Sequence, residues 1–181
     1  LASSERDYYL LSVAYYGGMR GGEVVAMQPR YIRTDHGDIL VPSLKRKRES
    51  HRGVFCDATD RPLLAVPILF GDAVLKAAKD WASDRRFIFQ SPQGPEPKPI
   101  SQRQFAYTFK RWAKVAGLDP QVSPHSLRHS AISHVQDAVG NDLVLLRDFA
   151  RHANISTTNT YLHATPAKLR RARKAMRKID G

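Results

Sequence analysis

The sequence predicts an α+β domain, mainly α-helical, with one small antiparallel β-sheet in its N-terminal third. Three observations carry this expectation. Apolar residues recur at helical spacing over most of the chain. β-forming residues concentrate within 31–69, where turn-prone stretches such as Asp35-His36-Gly37 interrupt them. The length, 181 residues with 42% hydrophobic and 25% charged side chains, suits one compact body and a short tail.

Taken in order, Ser3 or Ser4 is placed to cap a first helix through Tyr8, Leu11 and Tyr15, which Gly17 and Gly18 end. A short helix is expected over about 21–27, and Pro29 blocks its continuation. Residues 31–33, 38–45 and 63–69 read as strands, with a dense basic run at 45–52 between the last two. Asp72–Trp81 carries Val74, Leu75, Ala78 and Trp81 at helical spacing. Residues 87–89 suit a brief buried strand, and the proline-rich 91–99 a loop. Ser101 with Gln104 forms a capping box for a helix whose apolar face is Phe105, Phe109, Trp112 and Ala116, and Gly117 terminates it.

Helices are then expected over 126–139 and 142–150, with a shorter one around Tyr161. Thr165-Pro166 starts a last helix over 167–179, where Leu169, Ala172, Met176 and Ile179 share one stripe among lysines and arginines. The expected organisation is a main body over 1–165 and a basic helical tail over 166–181.

Charge narrows the function. Lys plus Arg number 29 against 17 Asp plus Glu, a net +12, which favours a polyanionic partner and nucleic acid first. The one cysteine, Cys56, excludes an internal disulfide and points to a reducing compartment. No apolar run approaches membrane-spanning length, so no membrane partner is expected. There is no phosphate-binding Gly-x-x-x-x-Gly-Lys loop, no dinucleotide fingerprint and no Cys-x-x-Cys. Acidic residues do not gather as a two-metal nuclease requires. Any chemistry on a phosphodiester would therefore use cationic side chains, with no metal or other cofactor.

Three segments offer such side chains. In Gly17-Gly18-Met19-Arg20-Gly21-Gly22-Glu23 an arginine stands at a helix start among glycines, where a phosphate can approach both guanidinium and backbone N–H groups. Glu23, one turn on, can orient a partner; the plainer alternative is a surface Arg–Glu pair. In His125-Ser126-Leu127-Arg128-His129, helical geometry sets His125 and Arg128 on one face. A histidine there can accept a proton or donate a hydrogen bond, and an arginine can grip two phosphate oxygens. The third segment runs from Ala150 through His152 to Tyr161. A phenol becomes a useful nucleophile only when deprotonated or surrounded by positive charge; the alternative is a buried structural tyrosine.

In this order the three segments resemble the tyrosine recombinase (phage integrase) family. Gly18-Met19-Arg20-Gly21-Gly22-Glu23 is similar to its first arginine box, T-G-[LM]-R-x-[SG]-E. His125-Ser126-Leu127-Arg128-His129 is similar to its His-x-Leu-Arg-His box. His152 and Tyr161 fit the spacing of its closing Leu-Gly-His-x-x-x-x-x-T-x-x-Tyr pattern. The resemblance spans nearly the whole chain and implies that family's catalytic-domain fold.

It also implies site-specific cleavage and rejoining of double-stranded DNA through a 3′-phosphotyrosyl intermediate, without metal or ATP. Arg20 and Arg128 would hold the non-bridging oxygens of the scissile phosphate. His125 would assist proton transfer, His152 would donate a hydrogen bond, and Tyr161 would attack. The family's hairpin lysine, the general acid, is assigned to Lys45, with Lys47 the rival. Lys45, Arg46, Lys47, Arg48 and Arg151 are the expected DNA contacts. The partners implied are duplex DNA and copies of the same chain, a tetramer on synapsed DNA and a monomer in isolation. The expected location is the cytoplasm, on the nucleoid in a bacterium.

Two departures stand out. The Leu-Gly before the family's second histidine is Ala150-Arg151 here, and residues 49–60 lengthen the hairpin. The family's separate N-terminal DNA-clamping domain is expected to be absent from this chain, which starts at the first catalytic-domain helix. The competing readings are a DNA-binding regulator of the same fold without strand transfer, and a type IB topoisomerase-like enzyme.

Overall fold

The structure is a computed structural model that describes residues 2–43, 63–91, 94–139 and 142–151, together with Lys174 and Met176. Lys45, Arg46, Lys47, Arg48, His152, Tyr161 and the helix expected around Tyr161 lie outside the described residues.

The chain opens with helix α1 (Ala2–Tyr16) and a short α2 (Gly21–Val25), followed by a 3-10 turn at Pro29–Tyr31. Strands β1 (Ile32–Arg33), β2 (Asp38–Pro42) and β3 (Leu63–Pro67) come next. Helices α3 (Asp72–Trp81), α4 (Gln102–Val115), α5 (Pro124–Val139) and α6 (Leu143–Ala150) follow. The expected mainly helical α+β architecture is what the described residues form.

The sheet has the order β1-β2-β3, antiparallel throughout, with Ile39 opposite both Ile32 and Val66. The β1–β2 turn needs Gly37, whose φ of 72° is left-handed, and Arg33 closes it by an ion pair to Asp38 at 2.5 Å. Strands β2 and β3 end at Pro42 and Pro67, short of the expected 45 and 69, and a proline has no N–H to extend a ladder.

The inner face of the sheet joins the helices in one apolar core, including Leu10, Val13, Val24, Ile39, Val66, Phe105 and Phe149. Burial of such side chains from water is the main stabilising term, about 1.5–3 kcal/mol for each large one. Polar ties then fix the helices relative to one another. Asp7 on α1 is fully buried and accepts from Trp112 Nε1 on α4 at 3.0 Å, with Arg6 and Arg111 as its ion-pair partners. The Tyr15 hydroxyl at the far end of α1 is hydrogen-bonded to His134 Nδ1 on α5. The turn after α1 is thereby brought against α5 and α6.

Several expectations are corrected. Helix α1 starts at Ala2, so Ser3 and Ser4 lie inside it and not at its cap. Residues 87–89 form no strand: Ile88 and Phe89 are fully buried, but Ile88 N–H bonds singly to Met27, and Phe89 C=O accepts from Ile100 as part of one isolated antiparallel bridge, Gln90 to Pro99, that extends no further. On α4 the Ser101–Gln104 capping box forms, while Thr108 and Ala113 complete the face of Phe105 and Phe109, and Ala116 is exposed at the C-cap. Helix α5 begins at Pro124, earlier than expected, because proline's fixed φ suits a first helical turn. Of the tail stripe, Met176 is described; it is helical and joins the core at 1% exposure.

Candidate active site

The site is built around the turn that ends α1. Gly18 sits there at φ 52°, where a Cβ would come within 2.7 Å of the Phe149 ring. Only glycine allows both that conformation and that approach. The turn then delivers Arg20 to the N-cap of α2 in an extended conformation. Glu23, in the first turn of α2, reaches back: its Oε2 accepts the Arg20 backbone N–H at 2.8 Å and its Oε1 the Arg20 Nη1 at 2.9 Å. One carboxylate thus caps the helix and holds the arginine side chain, which remains 36% exposed.

Arg128 lies on α5 and is 2% exposed. Its Nη1 donates to the Gly18 carbonyl at 2.5 Å and its Nη2 to the Ala150 carbonyl at the end of α6. The side chain therefore spans two segments remote from each other in sequence. His125, one turn earlier on α5, is exposed, and its ring meets that of His129 edge-on at 4.5 Å between centroids.

Arg151 is the C-cap of α6 and is left-handed, at φ 54° and ψ 40°. That conformation suits glycine and costs another residue about 1–2 kcal/mol. Its guanidinium turns inward: Nη1 donates to the Gly17 and Phe149 carbonyls at 3.1 and 2.9 Å, Nη2 to the Gly18 carbonyl at 2.6 Å and to Glu23 Oε2 at 2.8 Å. The Arg151 and Glu23 side chains are 3% and 7% exposed, so the pair is buried. Three arginines and one carboxylate, from three segments of the chain, form a single cluster.

Residues 2–168 match the Phage integrase family. The chain belongs to the phage integrase family. Its relatives include the tyrosine recombinase XerC of Salmonella typhi, 30% identical over 158 residues, which cover 87% of this chain and 48% of that protein. The integrase from mycobacterium phage Brujita has a similar fold, with a TM-score of 0.66 at 17% identity over 97% of this chain and 52% of that one. So does the integrase of the Tn1549 transposon in complex with transposon right end DNA, with a TM-score of 0.63 at 20% identity over 100% of this chain and 61% of that one. The chain spans about half the length of the XerC relatives it matches.

For this integrase-family chain the electrostatics of the cluster follow from burial and neighbours. Burial alone would push the Glu23 carboxyl up, but the Arg151 charge and the hydrogen bonds from Arg20 and Arg151 hold it below 4.5. Burial, with the Arg151 and Arg20 charges, pushes Arg128 down to about 10, so it stays cationic at neutral pH. Burial also lowers Arg151, against the pull of Glu23. His125 lies below the ordinary histidine value through desolvation first, then the charges of His129, Arg128 and Arg20. The site therefore holds a neutral imidazole beside strong positive charge.

Of the residues expected from sequence, Arg20, His125, Arg128 and Arg151 are described and lie together. Arg151, expected on DNA, has its guanidinium turned into the protein. Two features escaped the sequence. Glu23 serves two arginines, not one, and Gly18 supplies its carbonyl as a shared acceptor. The glycine pair before Arg20 was the available signal for the second. Among the described residues no group of three or more His, Cys, Asp or Glu side chains is placed to hold a metal ion. Among them, too, no helix is long and apolar enough to cross a membrane.

Proposed function

We propose that this chain is the catalytic part of a site-specific DNA recombinase that cuts and rejoins strands through a covalent link to Tyr161. The observation that carries the reading is the convergence of Arg20, Arg128 and a neutral His125 at one turn of the chain. Cations fixed in advance stabilise charge growing on a transferring phosphoryl group. The names of the relatives, recombinases and integrases, support the same reading.

Arg20 and Arg128 take the non-bridging oxygens of the scissile phosphate, and His152 donates a hydrogen bond to the same group. The Tyr161 oxygen attacks phosphorus and passes its proton to His125. The bond from phosphorus to the 5′-oxygen breaks, and Lys45 protonates that leaving oxygen. The products are a 3′-phosphotyrosyl link and a 5′-hydroxyl; attack by another strand's 5′-hydroxyl reverses the step, so no ATP is consumed. Lys45, Arg46, Lys47 and Arg48 hold the duplex backbone, and synapsis assembles four copies of the chain.

A nicked suicide duplex, carrying a site enriched by the protein from a randomised pool, tests this. The wild-type chain accumulates an SDS-resistant protein–DNA adduct, and Tyr161→Phe gives none while binding the duplex with unchanged affinity. An adduct that persists in Tyr161→Phe and maps to another residue overturns the assignment.

A further inference from the structure

Arg151 occupies the position where the family pattern carries glycine, in Ala150-Arg151-His152 against Leu-Gly-His. Its backbone keeps the left-handed conformation that glycine would adopt. What this chain adds is therefore a guanidinium, and its donors are almost fully committed. A guanidinium has four terminal N–H groups. Here they serve the Gly17, Gly18 and Phe149 carbonyls and Glu23 Oε2. Its Nε is buried without a hydrogen-bond partner among the described residues. With all four terminal groups committed, where Arg128 commits two, the side chain offers no terminal donor to a DNA phosphate.

Its effect falls on Glu23. That carboxylate is buried and must be compensated, because a buried unpaired charge is costly. With Arg151 and the Arg20 backbone N–H on Oε2, the Arg20 guanidinium makes one bond among the described residues, Nη1 to Oε1, and stays 36% exposed. Without Arg151, the Arg20 guanidinium would be the remaining cation in contact with Glu23, and a two-pronged grip on the carboxylate would turn it inward. Arg128, on α5, also senses the Glu23 charge but bonds to carbonyls.

The geometry points to Arg151 as a positioning residue: it takes over the Glu23 carboxylate so that Arg20 keeps its outer donors for the scissile phosphate. This inference rests on the strand-transfer function proposed above. Arg151 acts through Glu23 and Arg20 and does not touch the DNA.

The test compares Arg151→Gly, Arg151→Lys and the double variant Arg151→Gly with Glu23→Gln on the same nicked duplex. Glycine keeps the left-handed turn and removes only the side chain. Arg151→Gly is expected to bind duplex DNA as wild type does while forming adduct at least about tenfold more slowly. Arg151→Lys keeps a cation on Glu23 and recovers most of the rate. Adding Glu23→Gln to Arg151→Gly also raises the rate, since no carboxylate is left to draw Arg20 inward; a merely structural role for Arg151 predicts no such recovery.

An Arg151→Gly rate equal to wild type, or a loss undiminished by Glu23→Gln, overturns the inference. If Arg151→Gly does not fold, Arg151→Lys decides: adduct formation within a few-fold of wild type supports the role, and its abolition in a folded variant overturns it. A wild-type chain that forms no adduct instead overturns the proposed function, and the inference falls with it.

Discussion

Arg128 and Arg151 donate to one and the same acceptor, the carbonyl oxygen of Gly18, at 2.5 and 2.6 Å. Two like charges are held side by side because a backbone dipole points between them and Glu23 lies against one of them. The position of that carbonyl depends on the left-handed turn at Gly18.

Gly18→Ala therefore destabilises the protein by about 2–4 kcal/mol, from the left-handed strain of a Cβ and its clash with Phe149. Urea unfolding followed by tryptophan fluorescence reads this out. A midpoint unchanged from wild type would contradict the geometry described for the turn.

Arg128→Ala leaves the Gly18 and Ala150 carbonyls each with one donor fewer, and opens space in the core. The expected loss is about 2–4 kcal/mol of stability, together with loss of adduct formation. Arg128→Lys supplies one ammonium where two carbonyls need donors, so its stability falls between the two. Denaturant melts of all three proteins give the order.

Lys45→Ala slows cleavage of an ordinary substrate but not of a duplex with a bridging 5′-phosphorothiolate, whose thiolate leaves without a proton. Lys47→Ala, which removes only a hold on the duplex backbone, affects both substrates alike and shows no rescue. Rescue appearing at Lys47 instead identifies that residue as the general acid.

The pH dependence follows from the role proposed for His125, which is to accept a proton in its neutral form. Its value is depressed below the ordinary 6.5, so on the acid side the rate of adduct formation falls only below pH 6.5. Glu23 titrates below 4.5 and does not contribute to that limb. The same depression acts on stability. Unfolded His125 binds its proton more readily than folded His125, so stability declines as pH falls from 6.5 through the folded value. Replacing His125 with glutamine removes this acid limb from a pH–rate profile measured over about pH 5–8.

Much of the fold was legible because local and tertiary signals agree. Asp72–Trp81 was bounded correctly, since a glycine precedes an apolar stripe of helical period, and the Ser101–Gln104 box marks the start of α4. The segment 87–89 misled because three apolar residues cannot reveal whether a neighbouring strand exists to pair with them. The site was legible as boxes around Arg20, His125 and Arg128. The inward turn of Arg151 was not, because it depends on a carboxylate from α2 and carbonyls from the end of α1, remote in sequence from residue 151. A charge pattern on one segment does not say which distant partner will claim it.

The span of Arg128 has a consequence for the life of the chain. Its two acceptors lie 110 positions upstream and 22 positions downstream. During synthesis Arg20 precedes Arg128 out of the ribosome, and Arg128 emerges before Ala150 exists to receive its second bond. Neither a nascent chain nor a proteolytic piece cut between α2 and α6 can hold the full cluster of three arginines. Synthesis through residue 151 thus acts as an interlock: the three charges are gathered only once the turn after α1 and the end of α6 have closed on each other.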